Sequence, residues 1–327
     1  MSKRRRIMII VVTVLLLVAS ILLAIFVGGK LYAQSLANKV DISLNYMDLN
    51  HIDPGGDTRT VNVTFSVRMK HDTPVSARMD AATVGIDYGG QRVCSVEILA
   101  QKFKDGPQEY DIIIQESIVE IADLAGFSQM AKALLSAREV SMTASADVTV
   151  HAASMTYSGI KVRRTFALQG MNKFSTPAPV ITQITLADCT IASTTMVVNT
   201  TIDNISQFGM NSLGRLNLTI YYNKDFLGYA ISTNPDQGLP RGSSTQQFTV
   251  TLPNSVSMTL QLLSMGVGIV AKHAQFYIKG ENADATQIYI LRDAIKALDM
   301  SVLYTGGLST MGFGGGCGPS KIVGIGL

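Results

Sequence analysis

A chain of 327 residues that is 47% hydrophobic and 16% charged has length for about two domains of roughly 100–200 residues each, and it is too apolar for a disordered chain. Its formal charge of +3 comes from the beginning, where Lys3, Arg4, Arg5, Arg6 and Lys30 precede every acidic residue. From residue 31 onward 22 basic residues face 24 acidic ones, which excludes the basic footprint of a nucleic-acid binder. Cys94, Cys189 and Cys317 are widely spaced without a Cys-x-x-Cys pair, so no zinc site is read, and disulfide pairing and redox compartment stay open.

Residues 1–6 form a basic tail ahead of residues 7–27, where Thr13 and Ser20 are the only polar side chains. At 1.5 Å per residue, 21 helical residues cross a hydrocarbon core of roughly 30 Å. The run is longer than the apolar region of a cleaved leader, and Leu31-Tyr32-Ala33 lacks the small residue that cleavage wants. The expectation is a retained signal-anchor with its N-terminus in the cytoplasm, since the basic cluster precedes the span. The bulk of the chain then lies in a vacuolar, lysosomal or other endomembrane lumen, or outside the cell. The sequons at Asn62, Asn199, Asn204 and Asn217 would sit on that side as candidate glycosylation sites.

Beyond the span the hydrophobic period changes to two. Val61, Val63, Phe65, Val67 and Met69 alternate with polar residues, and so do Val140, Met142, Ala144, Ala146, Val148, Val150 and Ala152, which reads as strands with one buried face. A shift of about 134 residues lays Thr83–Tyr88 on Asn217–Tyr222 with their apolar positions in phase, and lays Glu116–Arg138 on Ser255–Lys272, both read as amphipathic helices. The same shift sets Ile160–Leu168 on Ile295–Leu303, so the second segment is expected to be largely strand although Leu291–Leu298 alone looks helical. The predicted fold is mainly β: a transmembrane helix, then two tandem antiparallel β-sandwich domains, residues 41–170 and 178–306, each with one amphipathic helix. Residues 307–327 are read as a Gly-rich flexible tail, because nine of the 22 residues from Gly306 onward are glycine.

The anchor, the alternating strand around Asn62, the segment Leu213–Gly228 with its Tyr221-Tyr222-Asn223 turn, and the late helix together resemble the late-embryogenesis-abundant type-two family, also called the water-stress and hypersensitive-response domain. The resemblance covers roughly residues 41–306 as two copies, and fungal vacuolar members with a membrane anchor are most similar in layout. The first copy keeps only Tyr88-Gly89-Gly90 of the turn, and the family's early Asn-Pro pair is absent. What the resemblance implies is a luminal β-sandwich whose apolar groove holds lipid, and it carries over no catalytic residue.

The residues alone do not supply a catalytic constellation. His51 and His71 lie in stretches that read as polar turns, His151 falls on the polar face of its strand, and no nucleophile elbow or His-Glu-x-x-His occurs, so neither catalysis, metal nor cofactor is expected. Gly314–Lys321 superficially resembles a phosphate loop but lacks the Gly-Lys-Ser/Thr order. Apolar helix faces are more often core than site, yet a helix laid on a sandwich also borders a groove suited to acyl chains. The candidate groove residues are Leu124, Leu134, Met258, Leu260, Leu263 and Val267. Membrane lipid is the expected ligand, and an adhesion or scaffold protein that binds other proteins is the alternative.

Overall fold

The computed structural model describes residues 16, 18, 20, 28–52, 59–190, 192–211, 213–253, 267–271, 274–306 and 311–313. The chain is mainly β, with two sheets. A helix over residues 28–39 (α1) leads into the first unit: β1 (Asp41–His51), β2 (Thr60–Thr73), β3 (Ala77–Met79), β4 (Ala82–Tyr88), β5 (Gln91–Ile98), β6 (Gln101–Phe103), β7 (Gly106–Ile121), helix α2 (Leu124–Ser136), β8 (Glu139–Ala152) and β9 (Met155–Gln169). The second unit comprises β10 (Val180–Cys189), β11 (Ser193–Asn204), β12 (Phe208–Met210), β13 (Asn217–Tyr222), β14 (Asp225–Ser232), β15 (Gly242–Pro253), a helical turn at residues 267–270 (α3), β16 (Ala274–Lys279), α4 (Arg292–Lys296), β17 (Asp299–Tyr304) and β18 (Met311–Phe313).

The alternating sequences make these strands because each must turn one apolar face inward. Both units run the same series of antiparallel ladders. In the first they join β1 to β2, β2 to β7, β7 to β5, β5 to β4, β4 to β8 and β8 to β9. In the second they join β10 to β11, then β15, β14, β13, β16 and β17 in turn. The second series also closes on itself, since β10 pairs in parallel with β17 through Val180↔Leu303 and Ile181↔Tyr304. No ladder joins the corresponding β1 and β9, so the first sheet remains open along that seam.

The units are not separate beads. β12 of the second unit pairs in parallel with β1, setting Phe208, Gly209 and Met210 beside Met47, Asp48 and Leu49. β18 lies beside β10 in the same sense, with Met311, Gly312 and Phe313 beside Ile184, Thr185 and Leu186. Arg241 reaches back with two hydrogen bonds to Asp48, at 2.6 and 2.8 Å, while its guanidinium stands 3.7 Å over the Tyr46 ring. One continuous cluster of buried apolar side chains runs through both units, including Leu134 and Leu135 of α2 and Ala294 and Ile295 of α4.

Several expectations are corrected. Residues 116–121 complete β7 instead of starting a helix: Val119 and Ile121 are buried and Ile118 exposed, a period of two suited to this β-branched run. The helix starts only after Asp123, whose side chain accepts from the Ala125 amide at 3.1 Å and caps it. Residues 289–296 are helical and not strand, because Ile290, Leu291, Ala294 and Ile295 are buried at helical spacing. His71 lies inside β2, 3% exposed, and not in a turn. His51 ends β1, and His151 does sit on an open strand face, hydrogen-bonded to Asp80. Residues 311–313 form a strand within the stretch read as a tail. Apart from residues 16, 18 and 20, the predicted span falls outside the described residues, and among those described no helix is long and apolar enough to cross a membrane. The second amphipathic helix, Ser255–Lys272, is described only from 267 to 271.

Candidate functional site

The inward faces of the first unit do not meet. Between them runs a groove of about 290 Å³, walled by Val63, Phe65 and Val67 of β2, Ile112 and Ile114 of β7, and Met142, Ala144, Ala146, Val148 and Val150 of β8. From Val63 to Thr73 the β2 wall extends about 33 Å, at ~3.3 Å per residue. Small side chains keep it open, for Ala144 and Ala146 occupy inward positions where larger residues would fill a sandwich core. Phe127, Met130, Ala131 and Leu134 of α2, with Phe208 of β12, close the inner end. Ala33, Leu36, Ala37 and Val40 close the outer end, beside Met79 and Phe103.

Four lining residues carry polar side chains: Thr73, Gln101, Ser145 and Arg164. Arg164 is the one charge, and its guanidinium is spent on backbone carbonyls, with its Nη2 donating to Ala37 O at 2.8 Å, Asn38 O at 3.1 Å and Val40 O at 2.7 Å. Such a lining strips water from alkyl groups and presents few partners to a polar substrate. Cys94 lies on the wall and is buried, which pushes its thiol up to about 12 and makes it a small apolar residue there. Cys189 is disulfide-bonded, a pairing the sequence left open.

The second unit encloses much less. Its cavity is about 40 Å³, with Phe248, Phe276, Ile184 and Met311 among its lining. The closed series of ladders and larger inward side chains account for the difference.

Of the helix residues proposed for a groove, Leu134 lines it and is fully buried. Leu124 packs against the core without lining the groove, and Val267 is 71% exposed. Met258, Leu260 and Leu263 lie outside the described residues. The walls come from strands, and the inward alanines of β8 were the sequence signal that could have located them. Among the sequons, Asn204 is 2% exposed and its amide donates to Phe208 O and Leu239 O, so a glycan has no room there. Asn62 and Asn217 are half-buried, each with a buried, unpartnered side-chain oxygen. Asn199 is half-buried at the surface and bonds Gln183 and Gln247.

Among the described residues no group of three His, Cys, Asp or Glu converges as for a metal. A Thr156–His151–Asp80 chain, with contacts of 2.9 and 2.8 Å, sits on the outer face of β8 with His151 and Asp80 about two-fifths exposed. It fastens β3 and β9 to β8 and lies away from the groove lining.

A family model described as "Protein of unknown function (DUF3712)" matches residues 96–220, less than half of the chain. No curated protein matches in sequence. Solved structures similar to the chain include the periplasmic chaperone SfaE, 9% identical over 84% of this chain and 99% of that one, with a TM-score of 0.21. A bacterial adhesin from Mobiluncus mulieris is 7% identical over 80% of this chain and 84% of its own, also at 0.21. CBD12 from CALX1.2 is 9% identical over 80% and 99%, at 0.24. At such scores these likenesses carry no argument about function.

Proposed function

We propose that the protein is a non-enzymatic, single-pass membrane protein whose first unit holds the acyl chain of a membrane lipid in its groove. The observation that carries the reading is the open apolar trough between β2, β7 and β8, about 290 Å³ in volume and bordered by α2. A bilayer core of roughly 30 Å is two acyl chains deep, so the ~33 Å wall accommodates one extended chain with length to spare. Each methylene taken from water contributes about 0.8 kcal/mol, which makes burial alone a sufficient source of affinity. The apolar run at residues 7–27 would place the groove beside the membrane, in a lumen or outside the cell, and the disulfide at Cys189 suits such an oxidising compartment. The resemblance to the late-embryogenesis-abundant type-two family points to the same ligand class.

The test uses membranes that contain the full chain and a fatty acid carrying a diazirine and an alkyne. Irradiation should attach the probe to peptides from β2, β7 and β8, and excess oleic acid should compete it away. Labelling confined to the predicted span, or unaffected by competitor, overturns the reading.

A specific feature favours the second reading, a protein-binding scaffold. Tyr221, Phe226 and Tyr229 form an edge-to-face aromatic row on the outside of the second unit, with Phe226 and Tyr229 more than two-fifths exposed. Exposed aromatics of this kind serve as interface anchors.

A further inference from the structure

The two units share one series of ladders and differ at one place. In the second, β10 and β17 pair and the sheet closes around about 40 Å³. In the first, the counterpart strands β1 and β9 stand apart, the cavity is about 290 Å³, and α1 occupies the seam. Ala33 and Ala37 of α1 pack on Val148, Ile160 and Val162, the apolar cluster at the outer end of the groove.

The fastening of α1 is polar. The Gln34 side chain donates to Lys161 O at 2.7 Å and accepts from Lys161 N at 2.8 Å, so one amide satisfies the free edge of β9 as a neighbouring strand would. Arg164, also on β9, donates to the carbonyls of Ala37, Asn38 and Val40 and so caps the C-terminal end of α1. Alanines bury little apolar area, and a hydrogen bond exchanged against water contributes only about 0.5–1.5 kcal/mol. The helix therefore covers the seam without being welded to it.

From these features we infer that the β1/β9 seam is a lateral port for the acyl chain and that α1 is its removable strap, an inference that rests on the groove reading above. The ligand class follows from the geometry. A chain that slides in sideways can leave a bulky polar head at the seam, so the port suits a membrane amphipath drawn from the bilayer next to α1. A fully enclosed hydrocarbon would not need it.

The experiment follows displacement of bound cis-parinaric acid by excess oleic acid, using the full chain in phosphatidylcholine nanodiscs. Gln34→Ala removes both bonds to Lys161 while alanine preserves helix propensity. It should speed displacement about ten-fold, the equivalent of roughly 1.4 kcal/mol, with equilibrium occupancy changed much less. Gln34→Cys with Lys161→Cys, loaded with probe and then joined by a short bis-maleimide, should release it at least about ten-fold more slowly. Equal displacement rates in all three proteins, with binding intact, overturn the port and leave the groove standing. No binding by the unaltered chain overturns the groove reading, and the port with it.

Discussion

Replacing Ala146 by Leu separates a ligand groove from an ordinary core, because the two respond with opposite signs. Ala146 faces the groove from β8, across from Val162 of β9. In a close-packed interior, three added carbons force neighbours off their rotamers and destabilise by about 1–3 kcal/mol. In an open groove of about 290 Å³ the same carbons enter empty space. At about 0.8 kcal/mol per methylene their burial stabilises the free protein by at most ~2.4 kcal/mol, an upper bound since the unfolded chain already shields some of this surface. An acyl chain then loses room for about three methylenes, and its binding weakens by a similar amount, roughly 50-fold. Guanidinium unfolding followed by circular dichroism measures the first effect and titration with cis-parinaric acid the second, both on the full chain. A variant that loses 1 kcal/mol or more of stability while binding the probe unchanged would refute the reasoning, since Ala146 would then be core.

Other expectations follow from particular contacts. Asp48→Ala should destabilise the protein by about 2 kcal/mol, between the values for exposed and fully buried pairs, because the bidentate Arg241 is 32% and Asp48 15% exposed. A double-mutant cycle with Arg241→Ala in guanidinium checks it, and a coupling below about 0.5 kcal/mol contradicts it. For Cys94, the folded thiol is pushed from 9.0 up to about 12 by burial, so the unfolded chain releases its proton first. Stability is therefore complete below pH 9 and falls as pH rises through that window, by up to about 1.4 kcal/mol per pH unit, and Cys94→Ala should remove this part of the slope in pH-dependent unfolding. In a host that glycosylates, Asn204 should remain bare and Asn199 should be the more accessible acceptor, which peptide mapping after deglycosylation decides.

How much of this was legible in the sequence depended on period and on length. Val140–Ala152 alternates over 13 residues, and β8 spans nearly the same stretch. The 134-residue offset reappears in the ladders, where Phe65↔Ile114 in the first unit answers Val198↔Phe248 in the second. Short elements were illegible. β12 and β18 have three residues each, too few for any period, and form only because β1 and β10 offer free edges. Trust in the repeat misled at Ile295: β9 continues where α4 instead coils to bury Ala294 and Ile295, so two copies diverge locally where their neighbours differ. The groove was sought on helices because amphipathic stripes are conspicuous. Alternation shows which strand face is inward but not whether two inward faces touch, and only the alanines at 144 and 146 hinted at the gap.

The three-residue strands show how the two units use one solution twice. Met47 is flanked by Phe65 on one side and Phe208 on the other, and Ile184 correspondingly by Val198 and Met311. Each triplet carries glycine in the middle. A Cβ at Gly209 would come within 2.3 Å of the Asp48 carboxylate, and one at Gly312 within 2.9 Å of the Thr185 hydroxyl, so the added strand approaches closer than a side chain allows. Each triplet's first residue also lines the cavity of the unit it joins, Phe208 the large one and Met311 the small one. The second unit is thus joined to the first through a residue of the groove itself, with Asp48 and Arg241 beside it. What distinguishes the units is the seam. With β10 and β17 paired there is no route through the wall of the second sheet at that point, whereas β1 and β9, bridged by Gln34 and Arg164 instead of a ladder, leave the larger cavity closed by side chains that can let go.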